Sequence, residues 1–239
     1  MRQNRSRLRA EIARLQSQSS RVRYQEVRTS AVALHETYLR ADADFDAGFL
    51  GGHSASLLDL AEGEAANSAR VANALLGEGD ATVEVDSTSI TDELSSLSGD
   101  LDSRWRGALY ALNPQNPDAA RHFCTSSREV LVQMLEIKAP DAAVLQANPQ
   151  CQRTPQGQPL RREKINYLLA LNGESSASLG EFIDEDVNDV MNLFRVFNDG
   201  THGDAGTFDL PALRAIKGRV EGAIGFLSQV IRGAAPQPA

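Results

Sequence analysis

The densest group of polar residues that packing does not explain is Arg195, Asn198, Asp199, Thr201 and His202, inside the run FRVFNDGTHGDAG. If a helix continues through Asn198, then Arg195 and Asn198 share a face, and His202 lies one turn further on. Gly200, Gly203 and Gly206 permit close backbone approach, or a positive φ, beside the imidazole. A guanidinium, an amide and an imidazole brought together suit an anionic phosphate and proton transfer on it. No carboxylate cluster and no His/Cys set at metal-ligand spacing accompanies them, so the chemistry expected here uses no metal and no cofactor. Each residue also has a plainer reading. His202 could fix its loop by hydrogen bonds, Arg195 could pair with Asp189, Asp199 or an acid of another helix, and Asn198 could cap a helix C-terminus.

A second polar group lies near the middle of the chain. Arg121, Thr125 and Arg128 recur at steps of four and three and form one stripe of a helix, with His122 and Ser126 beside it. The stripe could be the opposite wall of the same cleft and contact phosphate, or it could join a network to Glu129, Glu136 or the NDGTHG loop. Arg161, Arg162 and Lys164 make a basic patch that reads either as a solvated face or, on an RNA substrate, as backbone contacts. Lys217 and Arg219 flank a core stripe and read as surface. Ser126 and Ser127 lack a nucleophile elbow, and Cys124 reads as a small buried hydrophobe.

These groups must be carried by helices, because the sequence holds almost no strand signal. Leu8, Ile12, Leu15, Ser19 and Val22 repeat at alternating four- and three-residue steps, the seam spacing of a short coiled coil that must pack on a partner helix. A break is expected over ADADFDAGFLGGHS, then an Ala-rich helix ending at Gly77, then a mobile acidic stretch with a brief strand at 81–85 and a helical turn at 91–97. Trp105, Leu109 and Leu112 line a helix stopped at Asn113-Pro114, and Asn116-Pro117-Asp118 reads as the N-cap and first turn of the next. That helix should end at Ala139-Pro140. A polar loop then leads to the amphipathic helix RREKINYLLALN. Ser178 to Glu181 reads as a capping box before Ile183, Val187, Val190, Met191 and Phe194. Asp209 and Pro211 open a last helix carrying Leu213, Ile216, Val220, Ala223, Leu227 and Val230, and the tail AAPQPA should be disordered. The fold expected is all-α, a helical bundle with an N-terminal helical extension.

Charge divides the chain in the same way. Of 239 residues with a net charge of −8, positions 1–28 hold eight arginines against two glutamates, whereas positions 41–103 hold fourteen acids against Arg70 alone. The expected division is an Arg-rich helix at 1–47, an acidic segment at 48–103, a helical domain at 104–232 and a tail at 233–239. The arginines could contact nucleic acid or form a solvated face that pairs with the acidic segment. No stretch approaches the roughly 20 apolar residues of a membrane span. The charged N-terminus lacks the apolar core of a secretory signal, and two cysteines are too few for a disulfide scaffold, so a cytoplasmic location is expected.

The helical segment around RVFNDGTHG resembles the HEPN superfamily, which is marked by an Arg and a His four to six residues apart with a polar residue between them. Arg195 and His202 enclose six residues, Asn198 among them. The Asn-x-x-x-His spacing is similar to the ending of related HEPN-like domains. The longer stretch from NPQNPDAARHFCTSSREVL through RREKINYLL to NDGTHGDAG resembles the predicted nucleases associated with prokaryotic Piwi-type proteins, over roughly residues 104–232. The resemblance implies a bundle of HEPN-like type and metal-independent RNA cleavage at a homodimer cleft, by attack of the ribose 2′-OH to leave a 2′,3′-cyclic phosphate. It implies His202 as acid/base, Arg195 as the stabiliser of phosphorane charge and Asn198 as an orienting group. A bacterial defence or toxin-type role, with a possible partner protein, is implied in the same way. The sequence departs at Val196, where many active members carry the polar residue. Two further readings stand beside this one: a catalytically silent module binding nucleic acid, nucleotide or a partner protein, and an oligomerisation protein assembled through the N-terminal helix.

Overall fold

The computed structural model describes residues 8, 12, 25–49, 54–77, 87–113, 115, 116, 118–174, 176–199 and 210–233. Among them nine helices carry nearly all the regular structure: α1 Gln25–Asp46, α2 Ser54–Leu75, α3 Ser87–Leu97, α4 Gly99–Ala111, α5 Ala119–Lys138, α6 Asp141–Ala147, α7 Arg161–Leu171, α8 Ala177–Asp199 and α9 Leu210–Gly233. The only β feature there is a bridge between Arg153 and Pro159. The all-α expectation is met.

Several helix ends differ from the sequence reading, each for a local reason. α1 continues through the acidic run to Asp46, because Tyr38, Ala41 and Asp42 still face the core; the chain turns only at Gly48, with φ of 77°. α5 begins at Ala119, two residues later than Asn116-Pro117 suggests, since the Asn116 carboxamide oxygen accepts from the Asp118 amide in a turn of its own. α8 is capped by Ser176, whose hydroxyl accepts from the Leu179 amide, and Ser178 already belongs to the helix. The polar loop after α5 holds the short α6. The strand at 81–85, the seam positions Leu15, Ser19 and Val22, the cap at Asp209 and the tail lie outside the described residues.

α8 and α9 form the centre. α8 packs against α1, α2, α5, α7 and α9, and α9 packs against α2, α3, α5, α7 and α8. Tyr38, Phe182 and Phe226 stack edge to face at 6.3 and 5.9 Å and join α1, α8 and α9, while Trp105 and Phe123 join α4 to α5. A single hydrophobic core runs from Leu8 and Ile12 to Ile231, so the helices of the Arg-rich and acidic segments pack on those of the third.

Side-chain bridges fix the helix directions. Glu26, Ser30 and Arg40 of α1 meet Arg195, Asn192 and Glu181 of α8, so these helices run antiparallel. The end of α5 and the start of α8 are both tied to the first turns of α7, through Glu136–Lys164 and Asp184–Arg161. α5 is therefore antiparallel to α8 as well. The C-terminal turn of α8, the N-terminal turn of α1 and the N-terminal turn of α5 consequently lie at one end of the bundle.

Candidate functional site

α8 extends to Asp199, so Asn198 lies in its last turn and shares the helix with Arg195. Arg195 stands at the surface. Its Nη2 lies 2.9 Å from Glu26 Oε2, and the two side chains are 58% and 62% exposed. An ion pair so open to water contributes about 0–1 kcal/mol, so another anion can replace Glu26 at little cost. Any anion arriving here meets the negative end of the α8 dipole and must be held by side-chain cations. The next residue, Val196, is only 8% exposed and belongs to the core. The side chain of Asn198 and all of Thr201 and His202 lie outside the described residues.

The second group divides by face. Arg121, His122, Thr125 and Arg128 are exposed on α5, while Phe123, Cys124 and Ser127 turn inward. Burial pushes the Cys124 thiol up to about 12, so it is an inert packing group. The Asp118 carboxylate lies 3.6 Å from His122 Nε2 and 3.9 Å from Arg121 Nη1. Arg161 and Lys164 are committed elsewhere. Arg161 Nε lies 2.7 Å from Asp184 Oδ1, and the buried Lys164 ammonium sits between the carboxylates of Glu136 and Asp141. These two cations brace α7 against α5, α6 and α8.

Arg219, expected at the surface, is completely buried. Its Nη1 lies 2.7 Å from Glu64 of α2, its Nη2 2.6 Å from Asp186 and its Nε 2.9 Å from Asp189, both of α8. Ser68 donates to the same Asp189, and the Asp186 carbonyl accepts a further bond from Arg219. Gly222 allows α2 this close: a Cβ there would lie 2.6 Å from Glu64 Oε1 and from Asn67 Nδ2. Burial pushes the Glu64 carboxyl up to about 8 against the attraction of Arg219, and burial raises Asp186 in the same sense. Burial opposes the charge of Arg219, but the facing carboxylates outweigh it and strengthen its hold on the proton. Sequence reasoning missed this group, although Asp186 falls within the inward stripe of Ile183, Val187 and Val190.

Comparison with known families decides the wider question. The family described as "Predicted pPIWI-associating nuclease" matches residues 94–227. The chain belongs to this family. The match opens within α3 and closes within α9, so it covers both helices that flank the NDGTHG run. The HEPN-like reading is consistent with it. No curated protein and no solved structure matches the chain. Family membership makes nucleic acid the expected class of substrate and a pPIWI protein the expected associate, and no helix among the described residues is long and apolar enough to cross a membrane.

Proposed function

We propose that this member of the pPIWI-associating family is a metal-independent endoribonuclease, acting as a homodimer in a bacterial defence system. In this reading His202 takes the proton of a ribose 2′-OH while the 2′-oxygen bonds to the adjacent phosphorus. The bond from phosphorus to the 5′-oxygen breaks, the leaving oxygen receives a proton, and a 2′,3′-cyclic phosphate remains. Arg195 holds the charge that builds on the non-bridging oxygens, and Asn198 orients one of its neighbours. The observation that carries the proposal is the placement of Arg195: exposed in the last turns of the central helix, one turn before the NDGTHG run, and paired, among the described residues, with an exposed glutamate. The antiparallel α5 supports it by setting Arg121 at the same end of the bundle, with Thr125 and Arg128 following along the exposed face.

Val196 favours a second reading, a silent module that binds nucleic acid or a partner protein without cleaving. A buried valine fills the place of the polar residue that many active HEPN members carry. Incubating the purified chain with mixed RNA in EDTA, beside His202→Ala and Arg195→Ala, separates the two. Cleavage to 2′,3′-cyclic ends that both variants lose supports the nuclease. Intact RNA with folded protein supports the silent module, and equal cleavage by all three proteins removes these residues from the chemistry.

A further inference from the structure

Between the last turns of α4 and the first turns of α5 lies an open hollow of about 550 Å³, lined by Gly107, Tyr110, Asn113, Asn116, His122 and Ser126 among others. Its volume is within the range of small-ligand sites. Tyr110 projects at its rim, 82% exposed, although burying an aromatic ring is ordinarily favourable. Asn116 is fixed by a bond from its Nδ2 to the Ala111 carbonyl, and its amide lies 3.4 Å from His122 Nδ1. Among the described residues the lining side chains are three amides, a hydroxyl, a phenol, an imidazole and the Ala111 methyl, with no carboxylate and no permanent cation. Arg106 stands one helical turn before Tyr110 on the same face, and Arg121 adjoins His122; both are about two-thirds exposed.

We propose that this hollow receives one base of a single-stranded nucleic acid, stacked on Tyr110. The amides and hydroxyl of the lining fit the edge of a base and its apolar part fits a base's face, whereas a phosphate needs cations. The flanking arginines Arg106 and Arg121 serve the strand's phosphates on either side, and the Asp118 carboxylate beside His122 keeps phosphate out of the hollow itself. An exposed ring with neighbouring guanidinium groups is the arrangement by which single strands are held without a duplex. The first turns of α5, which border the hollow, lie at the same end of the bundle as Arg195. The inference rests on the nucleic-acid part of the proposed function, but not on cleavage.

The test is equilibrium binding of a fluorescent 2′-O-methyl RNA decamer, which cannot undergo 2′-OH attack, by the full chain at low salt. Tyr110→Ala is expected to weaken binding by about 5- to 150-fold, the loss of one stacked base, while Tyr110→Phe binds within about two-fold of the wild type. The Tyr110→Ala loss should persist in an Arg195→Ala background and be absent on a blunt duplex, whose bases are already stacked. Equal binding by wild type and Tyr110→Ala overturns the proposal, as does failure of the wild type to bind the decamer or an equal loss on duplex. Because the side chain is exposed, folding is unaffected by the substitution. Cleavage in EDTA is read separately through Arg195 and His202, so this proposal and the nuclease reading can fail independently.

Discussion

Replacing Arg219 by Met keeps a flexible side chain where α2, α8 and α9 meet but removes the cation from three buried carboxylates. In the wild type each of Glu64, Asp186 and Asp189 lies within 2.9 Å of a guanidinium nitrogen. Removing one partner of a buried ion pair costs about 3–5 kcal/mol, because an uncompensated charge stays behind. Here one substitution takes the guanidinium from three buried carboxyl groups at once, two aspartates and a glutamate already inclined to hold its proton, which places the loss at the upper end of that range. A domain has about 5–15 kcal/mol in total. At about 2–4 °C per kcal/mol for a chain of this size, Tm should fall by about 10–20 °C. The sign with pH follows from the same carboxylates. In the variant Glu64 and Asp186, already raised by burial, lose the cation that opposes that rise, so its deficit should be greatest at pH 7 and above and shrink as protons are taken up toward pH 5. Urea titrations of both proteins at the two pH values read this directly. A variant within about 1 kcal/mol of wild type at pH 7, or a deficit that does not change between pH 7 and 5, would refute the reasoning.

Glu64→Gln addresses the same group from its acidic side. With Glu64 held near 8 when folded, its contribution is fully present below about pH 4.5 and is lost as pH rises through 8, worth at most about 5 kcal/mol. The Gln variant should show a flatter stability profile and exceed the wild type at pH 8–9; parallel denaturant profiles would contradict this. Gly222→Ala should push α9 away from α2 and cost about 1–3 kcal/mol by overpacking, seen as a lower urea midpoint, since Glu64 and Asn67 are tied and cannot give way freely. Arg195→Ala should leave stability within about 1 kcal/mol of the wild type, given its exposed ion pair, yet abolish any RNA cleavage that the wild type shows. A large drop in Tm with unchanged cleavage would reverse the role assigned to that arginine.

The long helices were legible because Ile183, Val187, Val190 and Phe194 in α8, and Ile216, Val220, Ala223 and Leu227 in α9, keep the three- and four-residue rhythm that one buried face requires. Helix ends were less so. Ser176 and Ser178 offer the same hydroxyl two residues apart, and only the path of the incoming chain chooses between them. Arg195 was visible as chemistry, but the acid that meets it was not: Glu26 lies 169 positions earlier. Arg219 was misread for a related reason. A charged residue beside a core stripe looks solvated until its partners are known, and those partners come from two other helices. Two signs of a close helix crossing were nonetheless present, the spacing of Gly218, Gly222 and Gly225 along α9 and the polar Glu64, Asn67 and Ser68 on an otherwise Ala-rich α2.

The buried guanidinium also bears on the order in which the chain assembles. Helical proteins dominated by neighbouring contacts fold fast, and those that must join distant segments fold more slowly. Here the acid on α2 meets its countercharge 155 positions later, and α1 finds α8 across 141. Until α9 docks, Glu64, Asp186 and Asp189 lack the guanidinium that compensates their burial, and the Ser68–Asp189 bond between α2 and α8 does not replace it, so these two helices gain less by meeting without α9. The arrival of α9 is then the step that commits the bundle, and acid, by protonating those carboxylates in advance, should let the partial bundle close sooner.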